Sequence, residues 1–342
     1  MLQGRQTLPI GATIGSYVVN DVLGAGGFGI TYKCRDISNG VEVALKEYFP
    51  IDTAVRGQGS TIIQPAKQEA VDRFEKGKHD TLREADTLAN FRHPNIVRIV
   101  KRFQANNTVY LALSFEAGAK LDRWREGLGR PPTQDEIDHI VKPLLEALHV
   151  LHRNAFLHRD IAPDNIIVRP KSGPVLLDLG AARQTQPDKV QITTILKRGF
   201  APPEQYDRDA SQQGPWTDIY AFAATIYFIV TDNFVEESVL RKIGSASYVP
   251  AASAAKSQYR PSFLYGLDQA LLLDPKARPQ SVRDWRRILY PDPVSPPATR
   301  VANYQGPTKI PLPPVGRQPP PRLGAPAPQG KTVITWLLDL LR

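Results

Sequence analysis

The sequence predicts an α+β fold of two lobes. A β-rich lobe spans about residues 16–115 and a helical lobe about 119–290; a disordered Pro-rich tail follows and ends in a short apolar helix. Three observations carry this prediction. Runs rich in β-branched and aromatic residues, punctuated by glycine, fill the first third. Apolar residues at helical spacing dominate after Gly118. Residues 291–330 hold 13 of the 31 prolines and almost no large apolar side chains, so that segment cannot fill a core.

Residues 1–15 read as a loose leader. SYVVNDVLG (16–24), ITYKCRD (30–36) and VEVALKEYF (41–49) then read as consecutive antiparallel strands. Pro50, Gly57, Gly59 and Pro65 mark a loop excursion, with a small hairpin around TAVRGQGSTII. Over 71–91, Leu82, Ala85, Leu88 and Ala89 recur at helical spacing, and Pro94 helps to end the helix. IVRIVKRFQ (96–104) and TVYLALSFE (108–116) read as two more strands with a turn at 105–107. Helical patterns follow at 134–154, 216–234, 263–273 and 282–290. A cleft between the lobes is the natural ligand site.

Composition narrows the function classes. The net charge of +9 includes +4 from residues 291–342, where six basic side chains face Asp292 and Asp339. The rest is interleaved with acids and forms no basic block of the kind that follows a phosphate backbone, so no nucleic acid is expected. No apolar run reaches the roughly 18–20 residues that span a bilayer, so no transmembrane segment is expected. Cys34 is the only cysteine and the first residues lack the pattern of a secretory signal, so the expected setting is cytoplasmic. In the tail, PLPP (311–314) fits a polyproline-recognition spacing but reads as plain linker. In residues 331–342, Val333, Trp336, Leu337, Leu340 and Leu341 would share one helical face, which suggests docking on the globular body, a partner or a membrane surface.

Four motifs carry chemistry. Gly24-Ala-Gly26-Gly-Phe28-Gly29 is a GxGxxG followed directly by strand-like residues, which suits a glycine-rich hairpin folding over nucleotide phosphates. Lys46, in VALK, would point into the cleft from the third strand, and Glu84 on the following helix would pair with it and fix the ammonium against the phosphates. His158-Arg159-Asp160 is followed by Asn165, and Asp178-Leu179-Gly180 begins thirteen residues further on. That HRDxxxxN…DLG spacing is very hard to obtain by chance.

With these residues the sequence resembles the protein kinase superfamily, and within it the bacterial kinases similar to eukaryotic Ser/Thr kinases; the resemblance covers roughly residues 16–290. It implies a bilobal kinase fold, ATP and Mg²⁺ as cofactors, and protein substrates. It implies that Asp160 accepts or orients the substrate hydroxyl proton and that Asn165 and Asp178 hold two Mg²⁺. Ala44 and Leu113 would border the adenine, and the backbone of Ser114 and Glu116 would hydrogen-bond its edge. Leu88, Ile99, His158 and Leu179 would stack between the lobes. GFAPPEQ (199–205) resembles the end of an activation segment and a peptide platform. Its Glu204 would pair with Arg278, and Asp218 would brace the catalytic loop. Arg159 would receive a phosphate on the activation segment, for which Thr185, Thr193 and Thr194 are the candidates, autophosphorylation being expected at Thr193 or Thr194.

The chain departs from the family pattern at several positions. Ala162 stands where Ser/Thr kinases carry a lysine; tyrosine kinases also have alanine there, but with an arginine further on, and position 164 here is Asp. Leu179 replaces the usual Phe, Thr31 the usual Val, and the segment between Lys46 and Glu84 is long. In the family a threonine three residues before the aromatic at Phe200 bonds the catalytic aspartate. Here that position is Lys197, so its ammonium is expected to replace the missing lysine. The leading reading is an active Ser/Thr protein kinase. The alternative is a pseudokinase or nucleotide-binding scaffold acting through the Pro-rich tail; a small-molecule kinase would use the same site. Retention of Lys46, Glu84, Asp160, Asn165 and Asp178 together favours catalysis.

Overall fold

Alternating burial along the strands shows how the N-terminal lobe is built. The structure, a computed structural model, describes residues 6–89, 92–178, 183–184, 197–207, 212–255 and 258–292. The strands of this lobe are β1 (Thr13–Ile14), β2 (Tyr17–Ala25), β3 (Gly29–Asp36), β4 (Glu42–Tyr48), β5 (Ala54–Arg56) and β6 (Ile63–Pro65). Helix α1 (Val71–Leu88) precedes β7 (Ile99–Ala105) and β8 (Thr108–Ser114). Six of these strands form one antiparallel sheet in the order β1-β2-β3-β4-β8-β7. On β4, Val43, Leu45 and Glu47 are buried, while Ala44, Lys46 and Tyr48 are only partly buried, as the two-residue period of a strand requires. Lys46 therefore faces away from the lobe's core, which Val19, Ile30, Tyr32, Leu45, Phe74 and Tyr110 fill.

The first residues correct an expectation. Of the supposed loose leader, the described residues 6–15 are packed: Leu8 is buried, its N–H donates to Tyr32 Oη at 3.1 Å, and β1 pairs with β2. Leu8 and Ile14 are apolar and complete the core of the lobe. The long segment after Lys46 forms the expected hairpin, β5 against β6, with Ala54 and Ile63 buried in that same core. An ion pair between Glu47 and Arg56 ties it down, the two side chains being 0% and 2% exposed. Tyr32 Oη donates to Glu47 Oε2 at 2.9 Å and Tyr110 Oη to Oε1. Burial of such a charge is tolerable only because its lone pairs are filled.

Strand β7 starts three residues later than expected. Ile96 bridges Leu176 and the Val97 N–H donates to the Leu176 carbonyl at 3.0 Å, so these residues pair with the other lobe rather than extend β7.

The helical lobe contains β9 (Ala119–Lys120), α2 (Leu121–Gly127), α3 (Gln134–Arg153), β10 (Phe156–Leu157), β11 (Ile166–Arg169), β12 (Gly173–Leu176) and β13 (Arg183–Gln184). Helices α4 (Pro215–Thr231), α5 (Ser238–Lys242), α6 (Ala251–Ala254), α7 (Pro261–Ala270) and α8 (Val282–Leu289) complete it. Thr133 and Glu136 form a capping box that starts α3. Ile137, Ile140, Val141, Leu144, Leu148 and Leu151 give α3 its buried stripe. Helix α4 is buried almost all round, so it forms the centre of this lobe. Among the described residues no helix is long and apolar enough to cross a membrane. Leu179, Thr185, Thr193, Thr194 and the tail from residue 293 lie outside the described residues.

Candidate active site

The site is assembled around one buried carboxylate. Asp218, in the first turn of α4, accepts the His158 N–H and the Arg159 N–H, each at 2.8 Å, and His152 Nε2 at 2.8 Å. Burial alone would raise its pKa; the His152 ring and the other donors outweigh that and hold it below the ordinary aspartate value. Arg159 sits at φ 64° and Asp178 at φ 50°, a left-handed region that non-glycine residues enter at a cost of about 1–3 kcal/mol. For Arg159 the Asp218 hydrogen bond and that of Gln205 Nε2 to the Arg159 carbonyl, at 2.8 Å, fix the conformation.

His158 is fully buried between the lobes. Its Nδ1 accepts the Asp160 N–H at 3.3 Å, so Nε2 carries the hydrogen that the Leu177 carbonyl accepts at 2.8 Å. Asn165 Nδ2 donates to both the carbonyl and Oδ2 of Asp160, each at 2.7 Å. The expected neighbours Asp160 and Asn165 are thus joined directly. Burial raises the pKa of Asp160, and the charge of Asp178 raises it further, while Lys197 acts the other way.

Lys197 stands where the sequence places it. Its Nζ is 3.4 Å from Asp160 Oδ2 and 2.7 Å from Asp164 Oδ1. Asp164, in the sequence a departure from the family pattern, is the nearer partner. No spacing rule pointed to it, because its meaning comes from Lys197, 33 residues away. Ala162 is fully buried and packs in the core of the helical lobe.

Lys46 forms an ion pair with Asp178 across the cleft. The expected pair with Glu84 is not among the described contacts. Glu84 lies half-buried on α1, and the carboxylate that meets the ammonium is that of Asp178. Ala44 pairs in register with Leu113, and Lys46 with Leu111, so both adenine-bordering candidates and the lysine lie on adjacent strands.

The three glycines of GxGxxG separate into two roles. A Cβ on Gly24 would meet nothing within 4 Å, and on Gly26 only the Gly29 carbonyl at 4.0 Å. Packing does not require glycine there, and the bare backbone is what close approach to phosphate oxygens needs. Gly29 has a packing requirement as well: its Cβ would lie 2.2 Å from the Glu47 carbonyl, next to Lys46. Gly29→Ala is expected to push β3 off β4, lowering both the melting temperature and nucleotide affinity, whereas Gly26→Ala leaves the melting temperature nearly unchanged. Paired thermal melts of the two variants check this.

A cation fits the oxygens present. Asn165 spends its Nδ2 on Asp160, and its amide oxygen and the Asp178 carboxylate, which Lys46 holds here, are hard oxygen donors of the kind Mg²⁺ takes. Among the described residues no three His, Cys, Asp or Glu side chains cluster as a metal site. Such a cation would take its remaining ligands from phosphate and water, as Mg²⁺ commonly does.

This fold and site define a phosphotransferase of bilobal type. The protein kinase domain model matches residues 17–280, and the chain belongs to that family. It is 27% identical over 248 residues to the serine/threonine-protein kinase PLK4 of Drosophila yakuba, covering 71% of this chain and 30% of that protein. It is 26% identical over 226 residues to the serine/threonine-protein kinase ATG1a of Arabidopsis thaliana, covering 64% and 32%. The chain therefore spans about a third of the length of these relatives. The solved structure of PpkA-294 in its apo form superposes with a TM-score of 0.70 at 32% identity, covering 83% of this chain and 99% of that one.

Proposed function

We propose that the chain is an active Ser/Thr protein kinase that transfers the γ-phosphoryl group of ATP, with Mg²⁺, to protein hydroxyls. The observation that carries this reading is the convergence of Lys46, Asp160, Asn165, Asp178 and Lys197 on one cleft. Serine/threonine rather than tyrosine rests on the similarity to the named relatives and on the APDN sequence of the catalytic loop. Bound Mg²⁺, held by Asn165 and Asp178, would neutralise charge on the transferring phosphoryl group.

The chain's own residues do the rest. Gly24 and Gly26, bare of side chains, let the hairpin backbone approach the phosphates, although the Gly26 N–H itself donates to the Gly29 carbonyl at 2.8 Å, and Lys46 binds the phosphates as a cation. Asn165 and Lys197 both hold Oδ2 of Asp160, leaving Oδ1 to take the proton of the substrate hydroxyl. The hydroxyl oxygen bonds to the γ-phosphorus as the bond to the β–γ bridging oxygen breaks, and ADP leaves. Lys197 supplies, from the activation-segment side, the ammonium that Ala162 lacks.

Labelled-ATP transfer to the chain itself and to a generic basic protein tests the reading. Wild type is expected to label serine and threonine. Lys197→Ala should lower kcat roughly 10²–10³-fold, the value of a preorganised donor aimed at developing charge, with far less change in ATP affinity. Unchanged kcat would remove Lys197 from the mechanism; no transfer by wild type would leave a scaffold. The candidates Thr185, Thr193 and Thr194 make a separate prediction: after ATP treatment, intact mass should rise in steps of one phosphate, and peptide mapping should place it on Thr193 or Thr194.

A further inference from the structure

The segment that joins the lobes, from the end of β8 to β9, is fastened by side chains that the site described above does not use. Ser114 Oγ donates to Glu116 Oε1 at 2.7 Å and accepts the Arg98 N–H at 3.2 Å. The other oxygen of Glu116, Oε2, accepts Arg169 Nη1 at 3.0 Å. Both carboxylate oxygens are thus engaged, one from the β-rich lobe and one from β11 in the helical lobe. The side chains are 15% and 17% exposed, so this is not a solvated surface pair.

Arg169 does more than close its own turn. Its Nε donates to the Gly173 carbonyl at 3.1 Å and its Nη2 to the Ser172 carbonyl at 3.0 Å, which would suffice for the β11–β12 connection. The same Nη2 also donates to the Pro94 carbonyl at 2.8 Å, in the loop between α1 and β7. The planar guanidinium is what allows one side chain to serve the turn, that loop and Glu116 together. Two residues past Glu116 the chain presses onto β11: a Cβ on Gly118 would lie 2.4 Å from the Val168 carbonyl and 2.7 Å from Ile167 Cγ2.

We propose that Arg169 is a positioning residue for the nucleotide, holding the backbone of residues 114–116 in its adenine-binding geometry by clamping the Glu116 carboxylate. The proposal rests on the reading that this backbone binds adenine. A strand held in place before the ligand arrives has less conformational freedom to lose on binding, and the clamp contributes affinity in that way. A lysine at 169 would keep the charge but not the planar fork, so charge alone does not suffice.

The test uses the full chain and ADP as the probe, followed by calorimetry, with steady-state kinetics in ATP alongside. Arg169→Met and Glu116→Gln are each expected to weaken ADP about tenfold, and the double variant no further, since each breaks the same clamp. For Arg169→Met, KM for ATP should rise several times more than kcat falls, and Arg169→Lys should recover only part of the loss. ADP binding by Arg169→Met within twofold of wild type overturns the proposal, even if the melting temperature drops, because a mere turn brace would do that. Losses that add in the double variant overturn it as well. Should Arg169→Met fail to fold, the near-isosteric Glu116→Gln decides alone: full affinity sinks the clamp. A wild-type chain that takes up no ADP sinks the nucleotide reading, and the clamp with it, before any variant is compared.

Discussion

Asp160→Asn is expected to lower kcat by roughly 10²–10⁴-fold, the range a positioned general base contributes, while ATP affinity changes little. The role proposed for Asp160 puts the loss in the chemical step. Asparagine keeps the size of the side chain and an oxygen for the Asn165 hydrogen bond at Oδ2, so the loop geometry survives. What disappears is the carboxylate that would accept the proton, together with the charge that Lys197 faces at 3.4 Å. Asp160 is half-buried and joined to Asn165, and among the described residues no other carboxylate oxygen is held by that amide. Asp164 is nearest through the shared ammonium, 2.7 Å from it, but its side chain is 48% exposed against 27% for Asp160. Single-turnover kinetics with labelled ATP separates the two quantities. A variant retaining a tenth or more of wild-type kcat would show that proton acceptance by this group is not what limits transfer.

The second large effect is on stability. Arg278→Met is expected to destabilise the helical lobe by about 3–5 kcal/mol, the usual loss when one partner of a buried ion pair is removed. Arg278 and Glu204 are 0% and 4% exposed and meet in two parallel bonds, Nη1 to Oε1 at 2.7 Å and Nη2 to Oε2 at 3.0 Å. The remaining donors of Arg278 go to the carbonyls of Leu272, Leu273 and Trp216. Removal of the guanidinium strands a buried carboxylate with only Thr217 Oγ1, at 3.0 Å, and leaves three carbonyls without that donor. The effect reaches the active site, because Gln205, next to Glu204, holds the Arg159 carbonyl. Urea unfolding followed by tryptophan fluorescence measures the shift. A double variant with apolar residues at both positions should lose less than Arg278→Met alone, since the penalty comes from the uncompensated charge. A double variant that is the worse of the two would point instead to lost packing.

Both predictions began as readings of the sequence, and the outcome differed with the kind of signal. Strand and helix positions followed from two- and 3.6-residue periods, which report a local division between core and solvent. They placed β2, β3, β4, α3 and α8 within a residue or two. The approach of Lys197 to Asp160 was also readable, because a recognisable motif fixed which residue occupies that backbone position. The failures were of another kind. Residues 6–15 have too weak a period to announce a packed segment, yet Leu8 and Ile14 fill a core made by distant strands. Residues 96–98 look like strand, but Leu176 in the other lobe claims their pairing. Gly29 reads in the sequence as part of a phosphate cradle, and only the position of the Glu47 carbonyl shows that the β3–β4 approach also requires a glycine there.

By itself the sequence determined the two-lobed class, the order of elements and which acid, amide and amine groups are the candidates for the site, since these are written in local spacing and in a motif. Only the tertiary structure decided who pairs with whom: Lys46 with Asp178, Lys197 with Asp164 as well as Asp160, Arg169 with Glu116. The reason is physical. An ion pair depends on separation through space, on burial and on rival partners, and none of these is encoded in the distance between two residues along the chain.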